Sequence, residues 1–303
     1  MLRSAYSRLL GSRRLMSTNA RFDGCPPSPF LLDGKVIVVA GAGNPPHEQH
    51  GIGAMCSLVL ARQGATVISV SRSDNCEHVT RAVEAEGTLR GGMSLRADCT
   101  TASGVQKLAD TVMAKYGRVD TIINAGIHSA LPMGWGKMTE EKWMEAIDMN
   151  LHSQFHLIHK FVPILEKQRE GNFLYITTIA SSMGLGNGVQ RHAYAAGKSA
   201  AATLTRRIGL EYSTKGVRGN VLAVGYTSGP LVDRAVAKVI AAGKKTSIDE
   251  VTQKRDSYVP RQRQTTPEEI ANVAAFMVSD AASSLNAAEI FADGGTHNCA
   301  AGP

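Results

Sequence analysis

Residues 35–72 constrain this chain more than any other stretch. "KVIVVAG" is a short, β-branched apolar run. "GIGAMCSLVLARQG" repeats apolar residues at helical spacing (Met55, Leu58, Val59), and "ATVISVSR" is a second apolar run. Gly41, Gly43, Gly51 and Gly53 lie between the first run and the helix. A strand that enters a glycine turn and leaves as a helix is built to hold a nucleotide phosphate. Glycine lets the phosphate approach the backbone, and the helix start offers free N–H groups and a positive dipole end. Asn44 to His50 interrupt the glycines. Pro45 and Pro46 cannot extend a helix backward, so its start is held at Gly51–Ile52 and the extra residues bulge outward. Such a bulge costs little closure entropy. His47 and His50 on it are either phosphate ligands or solvated loop residues.

The rhythm continues. Helical patterns at 77–87, 105–117, 139–160, 193–213 and 266–279 alternate with strand-like runs at 92–100, 119–126, 171–181, 217–225 and 285–295. This predicts an α/β fold: a doubly wound parallel sheet (Rossmann fold) in a single domain over 31–303, with helices on both faces. Strands lacking polar alternation agree, because both faces are covered. The rhythm lapses over 226–265, and residues 226–260 are expected to form a substrate lid.

The formal net charge is +7, but Arg3, Arg8, Arg13, Arg14 and Arg21 fall within the first 22 residues, which hold no acid. Subtracting those five leaves +2, an ordinary balance that argues against a nucleic-acid partner. The Arg- and Ser-rich 1–22 segment predicts a mitochondrial transit peptide and a matrix location, with 23–30 as linker. No run approaches the ~18 apolar residues of a membrane span. Five scattered cysteines without a CxxC predict neither a disulfide framework nor a metal site.

The second strand ends Val70-Ser71-Arg72, with no acid before Asp74. An acid there would bind ribose hydroxyls and mark NAD; Arg72 is placed to pair with a 2′-phosphate, so NADP(H) is preferred over NAD(H). Tyr194 and Lys198 stand four apart in "AYAAGKSA", on one face of a helix. Ser181 ends a predicted strand 13 residues earlier. A carbonyl that accepts hydride needs a proton on its oxygen. A phenol whose acidity is raised by a nearby ammonium can supply it, and a serine can orient the substrate oxygen.

With these residues in view, the chain resembles the short-chain dehydrogenase/reductase family from about Leu31 to Thr296. "GAG…GIG" resembles the family's cofactor loop, including Ile52. Asp98 and Cys99 in "ADCT" match its adenine contact, and Asn124, Ala125 and Gly126 match its Asn-Ala-Gly strand end. The resemblance implies a catalytic tetrad of Asn150, Ser181, Tyr194 and Lys198. In it the Asn150 carbonyl holds a water linked to Lys198, and Tyr194 and Lys198 also contact the cofactor. Gly225 and Thr227 fall where the family holds the nicotinamide side, though its Pro-Gly is Val224-Gly225 here. An enoyl-reductase reading is disfavoured, because the position seven after Tyr194 is Ala201 rather than lysine. The implied activity interconverts a ketone and a secondary alcohol. A 3-oxoacyl thioester is the favoured substrate, with steroid, sugar and small carbonyl substrates left open; Lys238, Lys244, Lys245, Lys254 and Arg255 either solvate a helix face or meet the thioester's acidic carrier or phosphates. The resemblance also implies a homotetramer or homodimer. The alternative reading is a non-catalytic cofactor-binding scaffold subunit of a mitochondrial assembly.

Overall fold

Seven parallel strands run in the order β3-β2-β1-β4-β5-β6-β7. The computed structural model describes residues 28–46, 48–126, 135–183, 191–230, 232–234, 237 and 246–299. The 1–22 segment and His47 therefore lie outside the described residues, as do Lys238, Lys244 and Lys245.

The strands are β1 (Val36–Ala40), β2 (Thr66–Ser71), β3 (Met93–Arg96), β4 (Thr121–Asn124), β5 (Gly171–Thr178), β6 (Val217–Val224) and β7 (Glu289–Ala292). Between them run α1 (Ile52–Arg62), α2 (Asn75–Ala85), α3 (Ala102–Tyr116), α4 (Glu140–Ile147), α5 (Ser153–Gln168), α6 (His192–Glu211), α7 (Ile248–Ser257) and α8 (Pro267–Val278). The order reverses direction at β1, which pairs β2 on one side and β4 on the other (Val39 opposite Ser69 and Ile123). Ligands bind at such a switch point, beyond the carboxyl ends of the strands.

Every residue of β1, β4 and β5 is buried, as expected for strands covered on both faces. One apolar layer sets α1 and α8 against the sheet through Leu58, Leu60, Ile270 and Ala274. The other sets α3 and α5 against the opposite face through Leu108, Val112, Leu157 and Phe161. The helix expected over 139–160 is two helices joined by a π-helical turn, Asp148–His152, that carries Asn150. Such turns recur at functional sites. The strand expected over 171–181 stops at Thr178, its last residue paired with β6 (Thr178 opposite Val224), and residues Ile179–Ser181 wind into a 3₁₀ turn. The lid region contains α7, started by a Ser247–Glu250 capping box. Among the described residues no helix is long and apolar enough to cross a membrane.

Candidate active site

The glycine loop closes tightly over the end of β1. Gly41 has φ +83°, and a Cβ there would sit 2.5 Å from the Gly126 nitrogen. A Cβ on Gly53 would sit 2.3 Å from the Gly41 carbonyl oxygen. Larger residues cannot occupy either place. α1 begins after Gly51 with neither a side-chain cap nor an acid in its first turn, so its leading N–H groups and dipole are free for an anion. The insertion is organised by Asn44, which is buried. Its amide donates to the Pro45 and Glu48 carbonyls, and its side-chain oxygen accepts from the Gly51 N–H at 3.2 Å. Glu48 reaches across to pair with Arg234 of the lid. His50 does not line the cavity; its charge acts on Glu86.

A cavity of about 670 Å³ opens beyond the strand ends. Its walls include Gly41, Gly43, Gly51, Ile52 and Gly53 of the loop, Arg72 after β2, and Asp98 and Cys99 after β3. Asn124, Ala125 and Gly126 after β4, Tyr194 and Lys198 on α6, and Gly225 and Thr227 after β6 complete the predicted set. Asp98 is fixed by accepting from the N–H and hydroxyl of Thr100. Asn124 ties β4 to α5, donating to Ser153 and Gln154 and accepting from the Gly126 N–H. Burial and the Asp98 charge push the Cys99 thiol up to about 12, so it stays protonated at neutral pH.

Lys198 is almost fully buried, and its ammonium donates to the Ile176 carbonyl at 2.8 Å and the Gly126 carbonyl at 3.0 Å. Burial pushes its pKa down from the usual lysine value to about 7. Tyr194 sits on the same face of α6, also buried. Burial raises its pKa above the ordinary phenol value, opposed by a hydrogen bond with Thr178 and by the Arg191 charge. The expectation that the Lys198 ammonium acidifies Tyr194 is therefore corrected. The lysine is turned to the strand-end carbonyls, and the cation that acts on the phenol is Arg191.

Two tetrad positions depart from expectation. Ser181 and Asn150 are not in the cavity wall. Ser181 donates its hydroxyl to the Thr178 carbonyl at 2.6 Å, because the chain has already left the sheet for the 3₁₀ turn. The hydroxyl set against Tyr194 is that of Thr178, which lines the cavity. Asn150 is fully buried, and its carbonyl, expected to hold a water, accepts the Tyr175 hydroxyl at 2.6 Å.

The lid also differs. Arg255, expected among solvated charges, is partly buried and lines the cavity. It donates to Gln264 at 2.6 Å and to the Thr227 carbonyl at 3.2 Å, and lies 5.2 Å from the Tyr226 ring centre. Lys254 beside it is exposed. Thr178 and Arg191 are thus among the cavity residues that sequence reasoning did not assign, and Arg255 is one that it placed on the outer surface. Only the Thr-Thr pair closing β5 gives Thr178 any sequence signal. Among the described residues no cluster of His, Cys, Asp or Glu could hold a metal ion.

A model of the family described as "Enoyl-(Acyl carrier protein) reductase" matches residues 47–297. The chain is 30% identical over 267 residues to a 3-oxoacyl-[acyl-carrier-protein] reductase of Thermotoga maritima, covering 87% of this chain and 98% of that one. It is similar to a solved 7α-hydroxysteroid dehydrogenase bound to NADH and 7-oxo glycochenodeoxycholic acid, with TM-score 0.76, 28% identity, and 88% and 96% of the two chains covered. It is also similar to a Beutenbergia cavernae chain described as an NAD(P)-dependent gluconate 5-dehydrogenase and solved with NADP, with TM-score 0.75, 30% identity, and 90% and 100% covered. These likenesses favour the oxidoreductase reading over the scaffold alternative. With the seven-stranded parallel sheet, they show that this chain is a member of the short-chain dehydrogenase/reductase family, oxidoreductases acting on CH–OH and C=O groups.

Proposed function

We propose that this protein interconverts a ketone and a secondary alcohol with NADP(H), using Tyr194 as the proton donor. The observation that carries this reading is one cavity whose wall runs from the uncapped start of α1 to the Tyr194 phenol. The loop fits a dinucleotide: Gly41 and Gly53 leave no room for a Cβ, and the free N–H groups of α1 suit a pyrophosphate. Arg72 supports the preference for NADP(H). It lines the cavity beyond β2, whereas Asp74 faces outward within 3.6 Å of Arg96. Asp98 and Cys99 suit the adenine, and Lys198, Gly225 and Thr227 the nicotinamide half. When bound, the nicotinamide supplies or accepts the hydride.

The chain's own residues do the rest. Tyr194 is held protonated at neutral pH, as a proton donor to a developing alkoxide must be. Thr178 takes the orienting role expected of Ser181, because its hydroxyl meets the phenol. After proton transfer, the Arg191 charge and the Thr178 hydrogen bond favour the phenolate that remains. Lys198, poised near neutrality, can return a proton from the interior side, where Gly126 and Ile176 hold it. Asn150 acts through position: its carbonyl locks Tyr175, whose ring underlies Lys198.

The similarity to the Thermotoga maritima reductase supports a 3-oxoacyl thioester; the inward turn of Arg255 supports a smaller ketone. Assembly as a homodimer or homotetramer and a mitochondrial matrix location belong to the same proposal. They are supported by the family resemblance and by the acid-free basic segment 1–22. The test is NADPH oxidation followed at 340 nm over a panel of ketones. Turnover with at least one, abolished in Tyr194→Phe, is the expected result. Full activity in that variant would remove the reading.

A further inference from the structure

Four arginines line the cavity: Arg72, Arg191, Arg234 and Arg255. They are not equivalent. Arg72 stands at the end assigned to the cofactor's adenosine. Arg234 is neutralised by Glu48. Arg191 and Arg255 form no salt bridge among the described residues, and both stand at the reacting end.

Arg191 precedes α6 by one residue and lies over the Tyr194 ring, its guanidinium carbon 5.9 Å from the ring centre. Its Nε is buried and has no hydrogen-bond partner among the described residues. A buried, unpartnered guanidinium N–H carries a desolvation cost that a ligand acceptor removes. Arg255, on α7, lines the same cavity. Its Nε is fixed by Gln264, its Nη2 by the Thr227 carbonyl, and its plane by Tyr226. The Arg191 charge acts on Arg255. Burial lowers the Arg255 pKa and the Arg191 charge adds to that, against Tyr226, Asp256 and Asp233. Asp256, the nearest of these in sequence, is already occupied by the Gln264 N–H and side-chain amide. Two guanidiniums lining one cavity, one of them over the Tyr194 ring, are complementary to a single anion.

Building on the ketone–alcohol reading above, we infer that the substrate is a small oxo acid or hydroxy acid whose carboxylate is held between Arg191 and Arg255. The position of Arg191 sets the size. A carboxylate on a guanidinium that lies over the Tyr194 ring sits only a few bonds from the carbonyl that Tyr194 protonates. This distinguishes the inference from a carrier-bound thioester, whose charges lie far along a chain and meet the outer surface. Planar guanidinium pairs match a carboxylate through two parallel hydrogen bonds, and the discrimination against a neutral ester is large because the ester leaves both cations unpaired.

The experiment uses the purified protein with NADPH and two matched pairs, 3-oxobutanoate with its methyl ester and 4-oxopentanoate with its methyl ester. The acids are expected to exceed their esters in kcat/KM by about 10- to 100-fold, the worth of a charge-assisted hydrogen bond. Arg191→Gln and Arg255→Gln are each expected to cut the acid-to-ester ratio about tenfold or more, whatever they do to the absolute rate. The KM for NADPH is expected to stay within about twofold in Arg255→Gln, because the paired anion is not the cofactor's. A second readout is the melting temperature: 4-oxopentanoate raises it in the NADPH complex, its ester does not, and the Arg191→Gln/Arg255→Gln double variant loses the rise. Esters turned over as well as acids, or an unchanged ratio in both variants, overturn the anion site and leave the reductase reading standing. Acid binding seen by melting temperature, without turnover of any ketone, overturns the reductase reading and leaves the anion site standing.

Discussion

The Lys198 ammonium lies 4.6 Å from the centre of the Tyr175 ring, and the hydroxyl of that same ring donates to the Asn150 carbonyl at 2.6 Å. One buried tyrosine therefore links the π-helical turn to the lysine of α6. Removing its hydroxyl breaks that buried hydrogen bond. Tyr175→Phe is expected to lose about 1 kcal/mol of stability by chemical denaturation. Stability equal to wild type would show that the link adds nothing to the fold.

The titration of Lys198 makes a prediction whose sign is fixed. Its folded pKa of about 7 lies below the ordinary lysine value of 10.5, so between these values the unfolded chain binds more protons than the folded one. The Lys198 contribution to stability is thus fully unfavourable below about pH 7 and is relieved as pH rises toward 10.5. The melting temperature of wild type relative to Lys198→Met, both without cofactor, is expected to rise between pH 7 and 10. A difference that stays flat across that range would contradict the burial of an uncompensated ammonium.

Thr178 and Ser181 compete for one role, and the two hydroxyls are separable. Thr178→Val removes the hydroxyl that meets Tyr194 and is expected to lower kcat about 100-fold. Ser181→Ala removes a hydroxyl engaged with a backbone carbonyl and is expected to stay within a few-fold of wild type. The reverse ranking would return the orienting role to Ser181.

Cofactor preference rests on Arg72. Arg72→Gln is expected to raise the KM for NADPH about tenfold or more and to leave that for NADH nearly unchanged, because only the 2′-phosphate offers it a partner. Equal effects on both cofactors would place Arg72 on a part they share.

Much of this was legible from residue order. Strand–glycine–helix alternation identified the sheet, and Pro45 and Pro46 placed the start of α1 at Ile52. The Tyr194–Lys198 spacing picked out two residues that the fold brings to one cavity wall. What escaped has physical causes. Counting back from Tyr194 pointed to Ser181, but where a strand ends is set by pairing with its neighbours, and β5 stays paired only to Thr178. Spacing put Tyr194 and Lys198 on one face, yet their acidities depend on burial and, for Tyr194, on Thr178 and Arg191, none of which spacing reveals. The charges of 226–260 all look alike as a string; only contact with Gln264 and Thr227 turns Arg255 inward while Lys254 stays exposed. The unbroken apolar period over 139–160 gave no sign of the extra residue that makes the π-helical turn.

The switch at β1 and β4 divides the work unevenly along the chain. The glycine loop, Arg72 and Asp98, proposed for the adenosine end, lie before residue 100, and Thr178, Arg191, Tyr194 and Lys198, proposed for the reacting end, lie after residue 145. A dinucleotide lying across the junction would clasp two stretches that are remote in sequence and meet through the β1–β4 pairing, the packing of α1 with α8 and the Glu48–Arg234 pair. Occupancy at either end therefore tightens the molecule as a whole, and a lesion that loosens that seam weakens recognition and chemistry together.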